Sequence, residues 1–440
     1  MARDWRRVLV AEIASTDRNA LVGGPFGSNL VSRDYVDDGI PVIRGQNMRG
    51  RWVGGKFAYV TPAKARTLSA NLARPGDIVF TQRGTLGQVA VVPEEPHPRY
   101  LISQSQMKLS VNREVADPLY LYYVFRSEEQ QEYIRQRSIQ TGVPHTNLGI
   151  LRATPVLLPP IDEQRAIVGM LGALDDKIDL NRRMSETLEA IARALFKSWF
   201  VDFNPVRAKA ARRNTGLPAI LADLFPETFE DSALGEIPKG WAVKTIGDLA
   251  NVRGGGTPNT AEPRYWRDGR NFWATPKDFS KLSVPVLLDT ERSITDAGLS
   301  RISSGLLPRG TVLLSSRAPI GYLAIAEVPV AINQGFIALT PSGDVSNIFL
   351  LLWATVASDE ILSRANGSTF LEISKTNFRP IPVVMPSATV MHAFDQFARP
   401  LYERIVACTR ESRVLELQGA ALLPKLISGE IRIATSGKAT

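Results

Sequence analysis

The amino-acid sequence predicts an α/β protein with two tandem α/β domains joined by two long helices that form a coiled coil. Three observations carry that prediction: an internal repeat, an abrupt change of hydrophobic period after each copy, and a heptad seam in each stretch that follows. Pro75-Gly76-Asp77-Ile78-Val79-Phe80, followed by Arg83, Gly87 and Val89-Ala90-Val91-Val92, matches Pro308 to Leu314, followed by Arg317, Gly321 and Leu323-Ala324-Ile325. Gly76/Gly310, Arg83/Arg317 and Gly87/Gly321 share an offset of 234. It falls to 230 between Ile102-Ser103-Gln104 and Ile332-Asn333-Gln334, and to 227 between the runs Pro155 to Pro159 and Pro382 to Pro386, as loop insertions and deletions produce.

Short β-branched runs punctuated by Gly and Pro predict strands and turns over 1–158 and again over 240–386. Beyond the closing prolines both residues become scarce, and 159–203 and 387–433 each predict one long helix. In the first, Ile167, Leu171, Leu174, Ile178, Asn181, Ser185, Leu188, Ala192, Leu195 and Trp199 recur at alternating steps of four and three. Adding 227 gives the second seam: Phe394, Ala398, Leu401, Ile405, Cys408, Ser412, Leu415, Gly419, Leu422 and Leu426. Two such seams predict helices that pack on each other, although a stripe of this kind also serves a helix that merely covers its own domain. The pairs Asn181/Cys408 and Ser185/Ser412 lie at the middle of both stripes, where a buried polar group fixes register. Between the repeats, 204–239 holds a basic cluster (Arg207, Lys209, Arg212, Arg213) and an acidic run, without sustained periodicity, and reads as a linker.

Lys and Arg number 52 against 44 Asp and Glu, and the excess sits mainly in 1–158, with 20 basic and 14 acidic groups. That imbalance favours a polyanionic partner. One cysteine, Cys408, excludes an internal disulfide and a thiolate metal cage and fits a reducing cytoplasm. His97, His145 and His392 lie far apart, so no metal site is expected. No window approaches the roughly 18 apolar residues of a membrane span, and Met1-Ala2-Arg3-Asp4-Trp5-Arg6-Arg7 lacks the apolar core of a signal peptide, so a soluble cytoplasmic protein is expected.

Catalytic constellations are missing from the sequence, so no catalytic residue is expected. Val22-Gly23-Gly24-Pro25-Phe26-Gly27-Ser28 and Gly254-Gly255-Gly256-Thr257 fit neither a P-loop nor a dinucleotide fingerprint and read as turns, with free N–H groups that could approach a phosphate. No His-Glu-x-x-His, Gly-x-Ser-x-Gly or Asn-Pro-Pro-aromatic stretch occurs. The pairs Asp37-Asp38 and Asp175-Asp176 read as solvated faces.

What recurs in both copies is a set of polar loop positions suited to base edges and phosphates. In the first copy these are Arg44, Gln46 and Asn47 after Ile40-Pro41-Val42-Ile43, then Thr81, Gln82, Arg83 and Thr85, then Ser103, Gln104 and Ser105. In the second they are Thr275 and Lys277, then Ser315, Ser316 and Arg317, then Asn333 and Gln334. Each alone serves equally well as a turn cap. Trp52, Tyr59, Trp266, Phe272 and Trp273 lie nearby and suit either stacking on bases or packing of the sheet. The residues alone leave two readings open: a double-stranded-DNA reader, or a non-catalytic coiled-coil interaction module with incidental basic charge.

Several ordered motifs give the chain a family resemblance. They are Pro75 to Phe80 with Arg83-Gly84-Thr85-Leu86-Gly87; Leu157-Leu158-Pro159-Pro160-Ile161-Asp162-Glu163-Gln164; Leu195-Phe196-Lys197-Ser198-Trp199-Phe200-Val201-Asp202-Phe203; Thr215-Gly216-Leu217-Pro218 with Leu234 to Trp241; and Leu422 to Ile431. Together, over 5–433, they resemble the specificity subunit of type I restriction-modification systems. The second copy departs at its helix entry, where Pro386-Ser387-Ala388-Thr389 replaces Pro-Pro-Ile-Asp-Glu-Gln. The resemblance implies two target recognition domains, each reading half of a bipartite DNA sequence, on two antiparallel helices that act as a ruler. It implies no catalysis in this chain. Two methyltransferase subunits would bring S-adenosylmethionine, and restriction/translocase subunits ATP and Mg. A seam from Ile167 to Trp199 runs roughly 50 Å at ~1.5 Å per residue, on the order of 14 base pairs at ~3.4 Å each.

Overall fold

The protein is described from a computed structural model, which covers residues 5–138, 145–367 and 371–433; Met1 to Asp4 of the N-terminal stretch lie outside the described residues. The chain folds as two compact units, one running to Asp176 and resuming at Leu415, the other spanning Lys177–Val414. No helix among the described residues is long and apolar enough to cross a membrane.

In the first unit, strands Leu21–Gly23, Gln106–Leu109, Ile78–Thr81 and Val89–Val91 form an antiparallel sheet in that order. A second sheet orders Tyr35–Val36, Ala58–Val60, Ile40–Ile43, Tyr100–Ile102 and Leu72–Ala73, with Ile40–Ile43 parallel to Tyr100–Ile102. The apolar run Ile78-Val79-Phe80 is buried throughout, which is why it reads as a continuous apolar strand and not an alternating one. Against the first sheet lies helix Pro118–Arg126, whose Asp117 accepts from the Leu119 and Tyr120 amides and whose proline sits in the first turn, where a missing N–H costs nothing. Its Tyr120 to Phe125 are all buried.

The second unit repeats this plan. Ala250–Gly254, Phe336–Pro341, Val312–Ser316, Ile320–Ala326 and Val286–Leu287 make one sheet. Arg292–Ile294, Asn271–Ala274 and Val330–Ile332 make another, and helix Asn347–Val356 stands where Pro118–Arg126 stood. The segment 204–239, expected as a linker, carries helix Asn204–Ala210 and the hairpin Phe229–Ser232/Gly235–Pro238. Its Val206 and Phe225 join the core formed by Phe196, Phe200, Phe349 and Phe394.

Each long helix is 40 residues, α1 at Ile161–Phe200 and α2 at Ala388–Ile427, or about 60 Å at ~1.5 Å per residue. The two pair antiparallel within each unit. In the first, Ile167 and Leu171 share a core with Leu426 and Ile427. In the second, Asn181 Nδ2 donates to Glu411 Oε2 (2.9 Å) and Ser412 Oγ (3.3 Å), and the Cys408 thiol lies 3.7 Å from Met184 Sδ. Antiparallel pairing sets Asn181 opposite Ser412 and not opposite its repeat equivalent Cys408.

At the α1 entry, Glu163 accepts from Trp5 Nε1 (3.1 Å) and from Arg432 Nε (2.9 Å) and Nη2 (2.8 Å), which ties both ends of the described chain to one carboxylate. Gln164, also buried, accepts from the Asp117 amide and donates to the Val115 and Pro159 carbonyls. In the second copy the apolar Val390 and Met391 are buried at the equivalent positions, and the Trp241 indole N–H, the counterpart of Trp5, is buried without a partner among the described residues. The changed motif at the helix entry thus replaces a hydrogen-bonded latch by hydrophobic packing.

Candidate nucleic-acid interface

Topology gathers the polar loops. Val42↔Leu101 and Ile43↔Ile102 pair in parallel, so the loops after residues 43 and 102 leave on the same side. Gln106↔Thr81 then pairs antiparallel, which places 82–85 beside 103–105. Backbone bonds close the cluster: Ser103 N to Ile43 O (3.0 Å), Gln82 N to Ser105 O (2.7 Å) and Thr146 N to Gln82 O (2.9 Å). The second unit repeats each bond, as Asn333 N to Ala274 O (3.0 Å), Ser316 N to Gly335 O (2.8 Å) and Ile373 N to Ser316 O (3.0 Å). Each unit therefore gathers three polar loops, two from strand ends of one sheet and one from a strand end of the other.

Within the first cluster the roles divide. Asn47 is 2% exposed; its Oδ1 accepts from the Arg44 amide and its Nδ2 donates to the Gly54 and Lys56 carbonyls. Gln46 is exposed, with Nε2 on the Lys56 carbonyl, and Arg44 is half-buried with its Nε unpartnered. Thr81 is buried on Gln88, and Ser103 bonds the side-chain amide of Gln106. Gln104 Nε2 donates to the Gly27 (2.6 Å) and Leu30 (2.7 Å) carbonyls. Arg83 and Thr85 are exposed beside Gly84, and Gln82 and Ser105 are half-buried.

In the second cluster Thr275 and Asp278 cap helix Pro276–Phe279, with Thr275 Oγ1 donating to Asp278 Oδ2 (2.7 Å). Ser315 is buried between the Pro319 carbonyl and the Tyr322 amide, and Ser316 is buried in the strand. Arg317 lies 3.7 Å from Glu372, and Asn333 Oδ1 accepts from the Gly335 amide. Gln334 is exposed and bonded to Thr257. Exposed Lys277 pairs with Glu291 (2.8 Å), as does Lys281 (2.8 Å). These two ammonium groups hold the Glu291 carboxyl down to about 2.

Sequence reasoning set the glycine-rich segments apart from these loops, and the structure joins them. A side chain at Gly24 would overlap the Ser103 carbonyl oxygen, and one at Gly255 the Ile332 and Asn333 carbonyls. Only glycine permits that approach, in both copies. Nothing local reveals it, because the colliding carbonyls come from another strand end. Of the aromatics, Trp273 is buried against Trp266, with Arg292 stacked on Trp266 at 3.8 Å, while Trp52 is half-exposed and Tyr59 and Phe272 are partly buried.

Arg51 holds the first cluster to α1. Its side chain is 8% exposed; Nη1 donates to the Gly172 carbonyl (3.3 Å) and Tyr123 Oη (3.5 Å), and Nη2 to Asp176. Burial pulls the guanidinium pKa down, but the hydrogen bonds to Asp176 and Tyr123 outweigh it and keep the group charged. Asp175 accepts from Tyr123 Oη (2.8 Å). In the second unit Tyr402 of α2, at the position equivalent to Asp175, donates instead to the buried Glu327, which also accepts from Arg309 and Arg410.

The family model described as type I restriction modification DNA specificity domain matches residues 32–190 and again 238–396. The HindI specificity subunit of Haemophilus influenzae is 25% identical, over 92% of this chain and 97% of that protein. The MjaIX specificity subunit of Methanocaldococcus jannaschii is 24% identical, over 98% and 94%. Among solved structures, a type I restriction-modification S subunit from M. genitalium superposes with a TM-score of 0.58 at 15% identity, over 97% of each chain, so the fold is shared. With the family model matched twice, once over each α/β repeat, the chain belongs to the type I restriction-modification DNA specificity family.

Proposed function

We propose that this specificity subunit reads a bipartite double-stranded DNA target, one half through each loop cluster. The observation that carries the reading is the same three-loop polar cluster, closed by equivalent backbone bonds, at the strand ends of both units. Exposed Arg83, Thr85 and Gln46 are the residues offered to bases and phosphates, while Lys277 is held by Glu291. Asn47, Thr81, Ser315 and Thr275 shape the loops that present them. The chain supplies recognition and a scaffold, and no chemistry of its own. Two methyltransferase subunits bring S-adenosylmethionine; restriction/translocase subunits bring ATP and Mg. The complex works in the cytoplasm.

Co-expression with its cognate methyltransferase subunit, followed by mapping of methylated adenines in host DNA, is expected to yield a bipartite motif that disappears when this gene is deleted. A methylation pattern indifferent to the gene overturns the reading. Methylation or cleavage by the purified chain alone overturns the non-catalytic role.

A further inference from the structure

Phe26 is 81% exposed, at the tip of the glycine-rich segment in the first unit. A lone exposed apolar side chain is ordinary on a protein surface. The backbone that carries it is not ordinary. On one side, Gly24 N donates to Gln106 O (2.8 Å), and Asn71 Nδ2 donates to the Gly23 carbonyl (2.7 Å). The Ser103 carbonyl occupies the space beside Gly24. On the other side, Gln104 Nε2 holds the Gly27 and Leu30 carbonyls, and Asn29 N donates to Phe26 O (3.1 Å) to close the turn Gly27–Asn29. Pro25 restricts the backbone just before the ring, and Gly27 takes a φ of +51°. A ring on a slack loop would fold back onto the protein, but here both flanks are pinned and the ring is left uncovered beside the polar cluster.

The second unit ties the segment through a side-chain bond instead and omits the ring. Gln334, equivalent to Gln104, bonds Thr257; Thr257 is exposed and Pro258 is buried, so no apolar side chain projects at that tip.

We infer that Phe26 is a wedge that the first domain inserts between base pairs of its half-site, with no counterpart in the second. The inference rests on the DNA-reading function proposed above. Apolar side chains inserted at a base step unstack it and kink the duplex. Insertion also removes the phenyl surface from water. Pyrimidine–purine steps unstack most easily, so the wedge selects a TA or CA/TG step in the first half-site. Phe26 is thereby a specificity-determining residue that acts through DNA deformability and not through hydrogen bonds.

The test uses the complex with methyltransferase subunits, on duplexes carrying the motif mapped by methylation and 2-aminopurine at successive positions. Beyond the rise at the flipped, methylated position of each half-site, binding is expected to raise fluorescence at one further step of the first half-site and at none of the second. Phe26→Ala is expected to abolish that further rise and weaken binding by about ten- to a hundredfold. Phe26→Leu retains most of the rise, and an unchanged footprint on the second half-site shows that the alanine variant is folded. Unchanged fluorescence and affinity in Phe26→Ala overturn the wedge, as does tight wild-type binding with no rise in the first half-site beyond that at the flipped base. A wild-type complex that binds none of these duplexes removes the DNA-reading function itself.

Discussion

Asn47 shows how a polar residue in a recognition loop serves the loop: all three of its side-chain contacts go to backbone within ten residues. Asn47→Ala strands the Gly54 carbonyl and the Arg44 amide, at a cost of about 1–3 kcal/mol. The expected outcome is a lower melting temperature with loss of methylation at sites defined by the first half-motif, read by thermal denaturation and methylation mapping. Glu291 makes the opposite case. It neutralises Lys277 and Lys281, and with its carboxyl held at about 2 it stays charged, and the pairing intact, as pH falls far below neutrality. Glu291→Gln is expected to free both ammonium groups for phosphate, raising DNA affinity and steepening its salt dependence by up to about two charges in a titration at several salt concentrations. Residue type made these positions legible as polar and donor-rich. It did not distinguish Lys277, held by a carboxylate fourteen residues away, from Arg83, which is left exposed. Gly24 was legible as a turn glycine, but the carbonyl that requires it lies 79 residues along the chain.

Elements were far more legible than residues, because a heptad seam writes itself along one stretch of chain while a contact needs two. The steps of four and three from Ile167 to Trp199 lie within α1, and their equivalents within α2. The seam does not state direction. Opposite Asn181 it fits Cys408 as well as Ser412, and only the antiparallel fold selects Ser412. Nor does it state what grips the helices from outside, since Arg51 and Asp176 meet across 125 residues. That grip fixes the first loop cluster to α1 through a nearly buried cation. Arg51→Ala is expected to leave the Gly172 carbonyl and Tyr123 hydroxyl short of a donor, costing about 1–3 kcal/mol. A loosened attachment is expected to let the complex methylate motifs whose spacers are one base pair too short or too long. Methylation of duplexes with graded spacers measures this, and sharp wild-type discrimination in Arg51→Ala refutes it.

At the scale of the whole molecule the repeat was plain in the sequence, while the way the units share their helices was not. A constant offset is satisfied if each helix covers only its own domain. Instead, the first unit contains the start of α1 and the end of α2, and the second unit contains the rest of both. Four residues inserted into both helices beside the Asn181–Ser412 pair lengthen both seams equally, as a stutter, and add about 6 Å. The recognised spacer is expected to lengthen by roughly two base pairs; an unchanged spacer in the methylation map refutes the ruler. Replacing 1–158 is expected to change one half of the motif only. The latch at Glu163 also bears on the order of synthesis. Trp5 leaves the ribosome long before Arg432, and Leu426 and Ile427 belong to the same core as Ile78 and Phe80. At ~5–20 residues per second the unit begun first waits on the order of 10–50 s for its last helix turns, while the second unit is made and closed. The earliest-made unit is therefore the last to finish folding, and a chain stopped after Val414 would hold every loop of the first cluster without Leu426 and Ile427, which complete its core.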